Sequence, residues 1–161
     1  EKESTGRELQ LVTFSLGSEN YAVEVSRVKE IILPMDTYPV PGMPDQVRGV
    51  INLRGEIVPV LEIHSILGVS RKEKGDAERK DRIIILDTEE GGVGFEVDGV
   101  TEVIRISSER IKASPDIGNV NFNRDVMLGI VQTRTGIIIC IDPVKLVDSC
   151  MDLEELAGCR V

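Results

Sequence analysis

Apolar residues in this chain fall in short runs, broken at close intervals by glycine, proline and acidic turn residues. This punctuation constrains the fold more than any other feature, because runs of roughly four to seven residues suit strands and are too short for ordinary helices. Leu9, Leu11, Phe14 and Leu16 stand among polar neighbours, and residues 17–20 supply a turn before residues 21–25. That predicts a β-hairpin opening the fold. Residues 49–53 and 57–61 flank Arg54, Gly55 and Glu56, a tight turn of hairpin type. Strand-like runs follow at 83–86, 93–97 and 100–106, and residues 126–133 and 137–141 read as a last hairpin.

Helical signals are few. Val25, Val28, Ile31 and Ile32 fall at helical spacing with Ser26 available as a cap, which predicts a helix of two turns ended by Pro34. Prolines at 34, 39, 41 and 44 make residues 33–45 an extended connection. Pro59 has no N–H to donate, so its strand is expected at an edge or a bulge. Residues 62–67 form a short helix closed by Gly68, and Asp142 with Pro143 starts a C-terminal helix running to Leu156. Residues 71–82, dense in charge, read as a solvated loop between halves. The fold class is therefore all-β with a few short helices, as two small barrels.

At 161 residues and 41% hydrophobic, the chain has material for one domain or two small lobes sharing a core. The 28 acidic residues outnumber 19 basic ones, giving a net charge of −9 that repels nucleic acid and anionic membrane. Residues 1–10 contain no apolar leader core, and the longest apolar run, 137–141, is far short of a membrane span. A cytoplasmic protein without membrane insertion is expected. Cys140, Cys150 and Cys159 match neither a redox pair nor a zinc ribbon, and Cys140 reads as a core residue.

Catalytic chemistry is sparse. His64 is the sole histidine and reads as structural or solvated, and no G-x-S-x-G is present. The glycines of residues 91–94 precede a strand, so a hairpin turn explains them better than a phosphate loop. Asp87, Glu89, Glu90, Glu96, Asp98 and Glu102 fall at turns and alternate strand positions, where solvated faces are expected. With no tryptophan and 3% aromatic residues there is little to stack bases or sugars. No cofactor and no metal are expected. The enzymatic alternative is a small carboxylate-based hydrolase, which would need a deep pocket with convergent acids.

Three blocks carry a family resemblance. Residues 39–63, with Gly49-Val-Ile-Asn-Leu-Arg-Gly55 followed by Ile57-Val-Pro-Val60, resemble the central signature of the CheW family. Residues 93–104 resemble its G-x-x-V-D-x-V-x-x-V element, and residues 12–17 with 21–31 its first hairpin and helix. The blocks keep the family's order across residues 9–147. The resemblance implies two SH3-like five-stranded β-barrels packed around a shared hydrophobic core. It implies a non-catalytic adaptor that joins the cytoplasmic tip of a chemoreceptor to the regulatory domain of the histidine kinase CheA. Such a protein is expected to be monomeric outside the receptor array and recruited to it at the membrane. Val28, Glu30, Gly49 and Arg54 match positions implicated in receptor coupling, and Val25 and Val100 are weaker candidates for an apolar groove. From residue spacing alone, Arg54 and Gly49 also fit plain turn and backbone roles, and Val28 a core stripe.

A single domain over residues 9–150 is expected, with residues 20–70 in one barrel, 9–19 plus 82–147 in the other, and 151–161 as a tail. The short tails favour a stand-alone coupler. The alternative is a CheW-like domain belonging to a CheA or CheV-type protein.

Overall fold

In the computed structural model, which describes residues 6–69, 80–112 and 126–150, the opening run forms β1 (Glu8–Leu16), paired antiparallel with β2 (Glu19–Glu24). A single 3-10 turn, Val25–Arg27, leads into β3 (Val28–Ile32). The two-turn helix expected here is therefore a strand beyond Arg27. The β-branched residues Val28, Ile31 and Ile32 suit it, and β3 finds a partner strand that spacing could not reveal. Residues 33–46 form no helix or ladder strand, as their prolines require, and touch the fold through a bridge between Tyr38 and Val50. The extended connection expected over 33–45 is broken by turns at 41–42, where Gly42 has φ 86°, and at 45–46.

β4 (Val47–Leu53) and β5 (Glu56–Leu61) form the expected hairpin. Helix α1 (Ile63–Leu67) follows and is closed by Gly68 in the left-handed conformation. After the charged segment, of which residues 70–79 lie outside the described residues, come β6 (Arg82–Thr88), β7 (Gly91–Val97) and β8 (Gly99–Ser107). β9 (Met127–Thr133), β10 (Gly136–Ile141) and helix α2 (Pro143–Cys150) complete the description. Asp142 caps α2 by accepting from the N–H groups of Val144 at 3.0 Å and Lys145 at 3.3 Å. The helix expected to reach Leu156 is described only as far as Cys150.

The strands sort into two five-stranded sheets, ordered β8-β1-β2-β10-β9 and β3-β6-β7-β5-β4. This corrects the expected lobes. β2 belongs with β1, and β6 and β7 join β3, β4 and β5 rather than the second barrel. Each half of the chain contributes a hairpin, a third strand and a second hairpin. The first hairpin of each half is inserted into the other half's sheet, where it pairs parallel to the last strand: β2 with β10, and β7 with β5. Pro59 lies on β5, an interior strand and not an edge. It is tolerated because the pairing of β5 with β7 involves Val60 and Leu61, beyond the proline.

The exchange places the main core between the sheets. Phe14 of β1 meets Phe95 of β7 with ring centroids 5.6 Å apart and Tyr21 of β2 at 6.1 Å, and Ile63, Leu67, Leu146 and Val147 of the helices pack into the same cluster. Each sheet also encloses a smaller cluster of its own, around Leu11 and Val131 in one and Ile51 and Ile85 in the other. Asp98, expected on a solvated face, is buried instead. Its carboxylate accepts the Gly17 N–H at 2.6 Å and lies 3.2 Å from His64 Nε2, so it ties the β1–β2 turn of one sheet to helix α1 beside the other. His64 is thus a buried structural residue.

Candidate protein-interaction surface

The β4–β5 turn has two central residues, and its geometry is demanding. Arg54 has φ 51° and Gly55 φ 90°, so both lie in the left-handed region that a type I′ hairpin turn requires. Asn52 supports the turn by accepting the Gly55 N–H at 2.9 Å. Glycine adopts this conformation freely, but arginine does so at a cost of about 1 kcal/mol or more. Among the described residues Arg54 is the one non-glycine with positive φ. A residue type that the turn disfavours thus occupies its tip, with its side chain 68% exposed.

Glu30 holds that side chain. Its carboxylate on β3 meets Arg54 Nη2 at 2.5 Å, and Lys29 Nζ lies 3.6 Å from Glu56 across the same gap. β3 and β4 are the two edges of their sheet, so the pair spans the open side of the barrel and aims the guanidinium from a fixed base. Remaining donors of the planar fork face solvent. The structure therefore brings together Glu30 and Arg54, which are far apart in sequence.

Val28 begins β3 opposite Leu86, and a one-residue bulge at Lys29 separates it from Glu30. Val25, Val28 and Val100 are all half-buried and pack on the rim of the main core. They combine the two roles that periodicity left open, lining the core on one side and showing apolar surface on the other.

Gly49 is not part of this cluster. It sits at a bulge of β4, where a Cβ would lie 2.5 Å from the Tyr38 carbonyl oxygen and 2.9 Å from Thr37 Cγ2. Its absent side chain lets the proline-marked segment cross β4 and bond Tyr38 to Val50 in both directions, at 2.8 and 2.9 Å. The geometry gives Gly49 a structural role.

One feature was missed by sequence reasoning. Arg27, Leu86, Asp87, Glu89, Val144 and Val147 line much of a groove of about 490 Å³ between α2 and the β6–β7 turn. No signal in the sequence marked it, because the apolar residues of α2 have the spacing of a core face. Burial pushes Cys140 up to about 11 and Cys150 to about 12, and burial with the nearby Glu19 carboxylate raises Tyr21 to about 12. Both thiols stay protonated near neutral pH, which fits the core reading of Cys140. Among the described residues no group of histidine, cysteine and acidic side chains could hold a metal, and no helix is long and apolar enough to cross a membrane.

The sequence model of the CheW-like domain matches residues 10–151. The chain belongs to the CheW-like family. Its CheW relatives include the chemotaxis protein CheW of Treponema pallidum (strain Nichols), 34% identical over 94% of this chain and 88% of the relative. The CheW of Thermotoga maritima is 33% identical over 88% and 89% of the two chains. A crystal structure of the scaffolding protein TtCheW from Thermoanaerobacter tengcongensis superposes with a TM-score of 0.73 at 29% identity, covering 88% of this chain and 89% of that one. The CheW fold of two β-sheet subdomains is thus the fold seen here.

Proposed function

We propose that this protein is a non-catalytic adaptor that couples chemoreceptors to the histidine kinase CheA. Family membership supports a chemotaxis scaffold, and the observation that carries the finer reading is the Glu30–Arg54 pair. An arginine placed at the tip of a rigid turn, and held there by a carboxylate, offers directional donors to carboxylates or carbonyls on a helical receptor tip. Val28 and Val25 at the rim of the core supply apolar area beside it, with Val100 as the equivalent residue on β8. Gly49 contributes by fixing the segment that crosses β4, which makes it a supporting residue for this surface.

An adaptor of this kind works through geometry. Modest contacts at two surfaces, repeated across an array, link receptor state to kinase activity without chemistry in the adaptor itself. The test is calorimetric titration with the regulatory domain of CheA from the same organism, and separately with a receptor cytoplasmic fragment. Saturable one-to-one binding of each, with the second unaffected by prior saturation with the first, is the expected result. Absence of binding to both partners would reject the coupler reading and leave only the fold.

A further inference from the structure

The internal repeat carries the Glu30–Arg54 arrangement into the other sheet, but with different electrostatics. Val100 and Glu102 on β8 stand where Val28 and Glu30 stand on β3. Val100 faces Phe14 and Glu102 faces Thr13, across a one-residue bulge, as Val28 faces Leu86 and Glu30 faces Ile85. Gly129 and Arg134 on the β9–β10 hairpin match Gly49 and Arg54 on β4–β5. Gly129 leaves room for the Lys112 carbonyl as Gly49 does for that of Tyr38, and a bridge joins Lys112 to Ile130 as one joins Tyr38 to Val50.

In the first of these sites the arginine is neutralised, because Arg54 pairs with Glu30. In the second, Arg105, Arg110 and Arg134 are exposed and have no carboxylate partner among the described residues. Together with Glu102 they border a cavity of about 420 Å³ that Ile104 and Ile138 also line. Arg110 is oriented by donating to the Gln132 carbonyl oxygen at 2.9 Å. On a chain of net charge −9, three guanidinium groups around an aliphatic floor, without a carboxylate partner among the described residues, form a local exception.

We propose that this face is a second docking surface, distinct from the Glu30–Arg54 surface, for a protein segment that presents carboxylates around an aliphatic side chain. The planar guanidinium fork matches a carboxylate in bidentate fashion, and the isoleucine floor accepts the apolar residue between them. The net charge of −9 opposes the dense charge of a polyphosphate or an anionic lipid surface more than a segment with a few carboxylates, and the isoleucine floor suits an aliphatic side chain rather than a phosphate. The proposal goes beyond the coupler reading and does not depend on which partner binds at Arg54.

The test is amide-resolved NMR of the full chain, titrated with a synthetic peptide of alternating glutamate and leucine and with its glutamine counterpart. The glutamate peptide is expected to shift amides of β8 and of the β9–β10 turn, with binding that weakens as salt rises. The double variant Arg105→Glu/Arg134→Glu should weaken it by about tenfold or more, and Arg134→Glu alone measurably, while Lys145→Glu, the same charge change as that single substitution but on α2, should not. Arg134→Gln, expected to weaken binding by a smaller factor, keeps the test open if the double variant fails to fold. Equal binding of the two peptides, or shifts elsewhere, would overturn the proposal. So would tighter binding at the same amides by phosphatidylglycerol vesicles or a single-stranded oligonucleotide. Concentration-dependent shifts of those amides without peptide would assign the face to a second copy of this chain and equally overturn it.

Discussion

Arg54 and Gly49 separate two ways in which a single residue serves a surface. Arg54 opposes its own backbone, since a left-handed φ of 51° suits asparagine or glycine better by about 1 kcal/mol. Its bond to Glu30 is worth less than about 1 kcal/mol because the side chain is largely exposed. Arg54→Asn is therefore expected to keep or raise the thermal midpoint while weakening receptor-fragment binding by about tenfold or more; a lowered midpoint would make the arginine structural. Gly49 behaves in the opposite way. Because a Cβ would lie 2.5 Å from the Tyr38 carbonyl oxygen, Gly49→Ala should cost about 1–3 kcal/mol in urea denaturation, and Gly49→Val more. Unchanged stability in Gly49→Ala would show that the crossing segment yields easily and would return Gly49 to the interface.

At the scale of elements, strands and helices meet in buried clusters, and the titratable members of the shared core and of the cluster within one sheet set how the packing responds to pH. Cys140 on β10, Cys150 at the end of α2 and Tyr21 on β2 have folded-state pKa values of about 11, 12 and 12. Their ordinary values are 9.0 for the thiols and 10.0 for the phenol. Above about pH 9 the unfolded chain loses these protons while the native protein retains them, so it binds fewer protons than the native state. The contribution is fully present below pH 9 and is lost as pH rises through the folded values. Urea midpoints should thus be flat from these groups up to about pH 9 and fall beyond it. In Cys140→Ala the fall should be shallower, and an identical profile would remove that thiol as a cause. Iodoacetamide at neutral pH should leave Cys140 and Cys150 unmodified in the native protein and label them once it is unfolded.

At the scale of the whole molecule, the exchange of hairpins makes each half of the chain incomplete. β1 and β2 finish the sheet that β8, β9 and β10 begin, and β6 and β7 finish the one begun by β3, β4 and β5. Fragments made by dividing the chain between residues 69 and 80 should each lack a cooperative thermal transition, whereas the mixed fragments should recover one together with dispersed amide resonances. A fragment that melts cooperatively alone would mean that one sheet is self-sufficient. The same exchange lets neighbouring barrels share one core, and it presents the two related hairpin turns, at Arg54 and Arg134, to different surroundings.

Much of this was legible in one dimension, where the relevant forces act over a few residues. Alternation around Leu11 and Phe14 specified strands, the residues between 53 and 57 specified a hairpin turn, four prolines specified a crossing without helix, and Asp142 with Pro143 specified a helix start. These are local consequences of side-chain period, allowed φ and missing N–H groups. The tertiary structure alone decided the rest. Val28 to Ile32 has apolar residues at helical spacing, yet it forms a strand because β6 offers it a ladder. Asp98 reads as a solvated acid, yet it is buried because the Gly17 N–H and His64 converge on it from distant parts of the chain. Glu30 and Arg54 become a pair, and Arg105, Arg110 and Arg134 a patch, only when strands distant in sequence are brought side by side. Local preference selects the elements, but which edges pair, and which charges then meet, depends on burying the apolar faces of both hairpins at once.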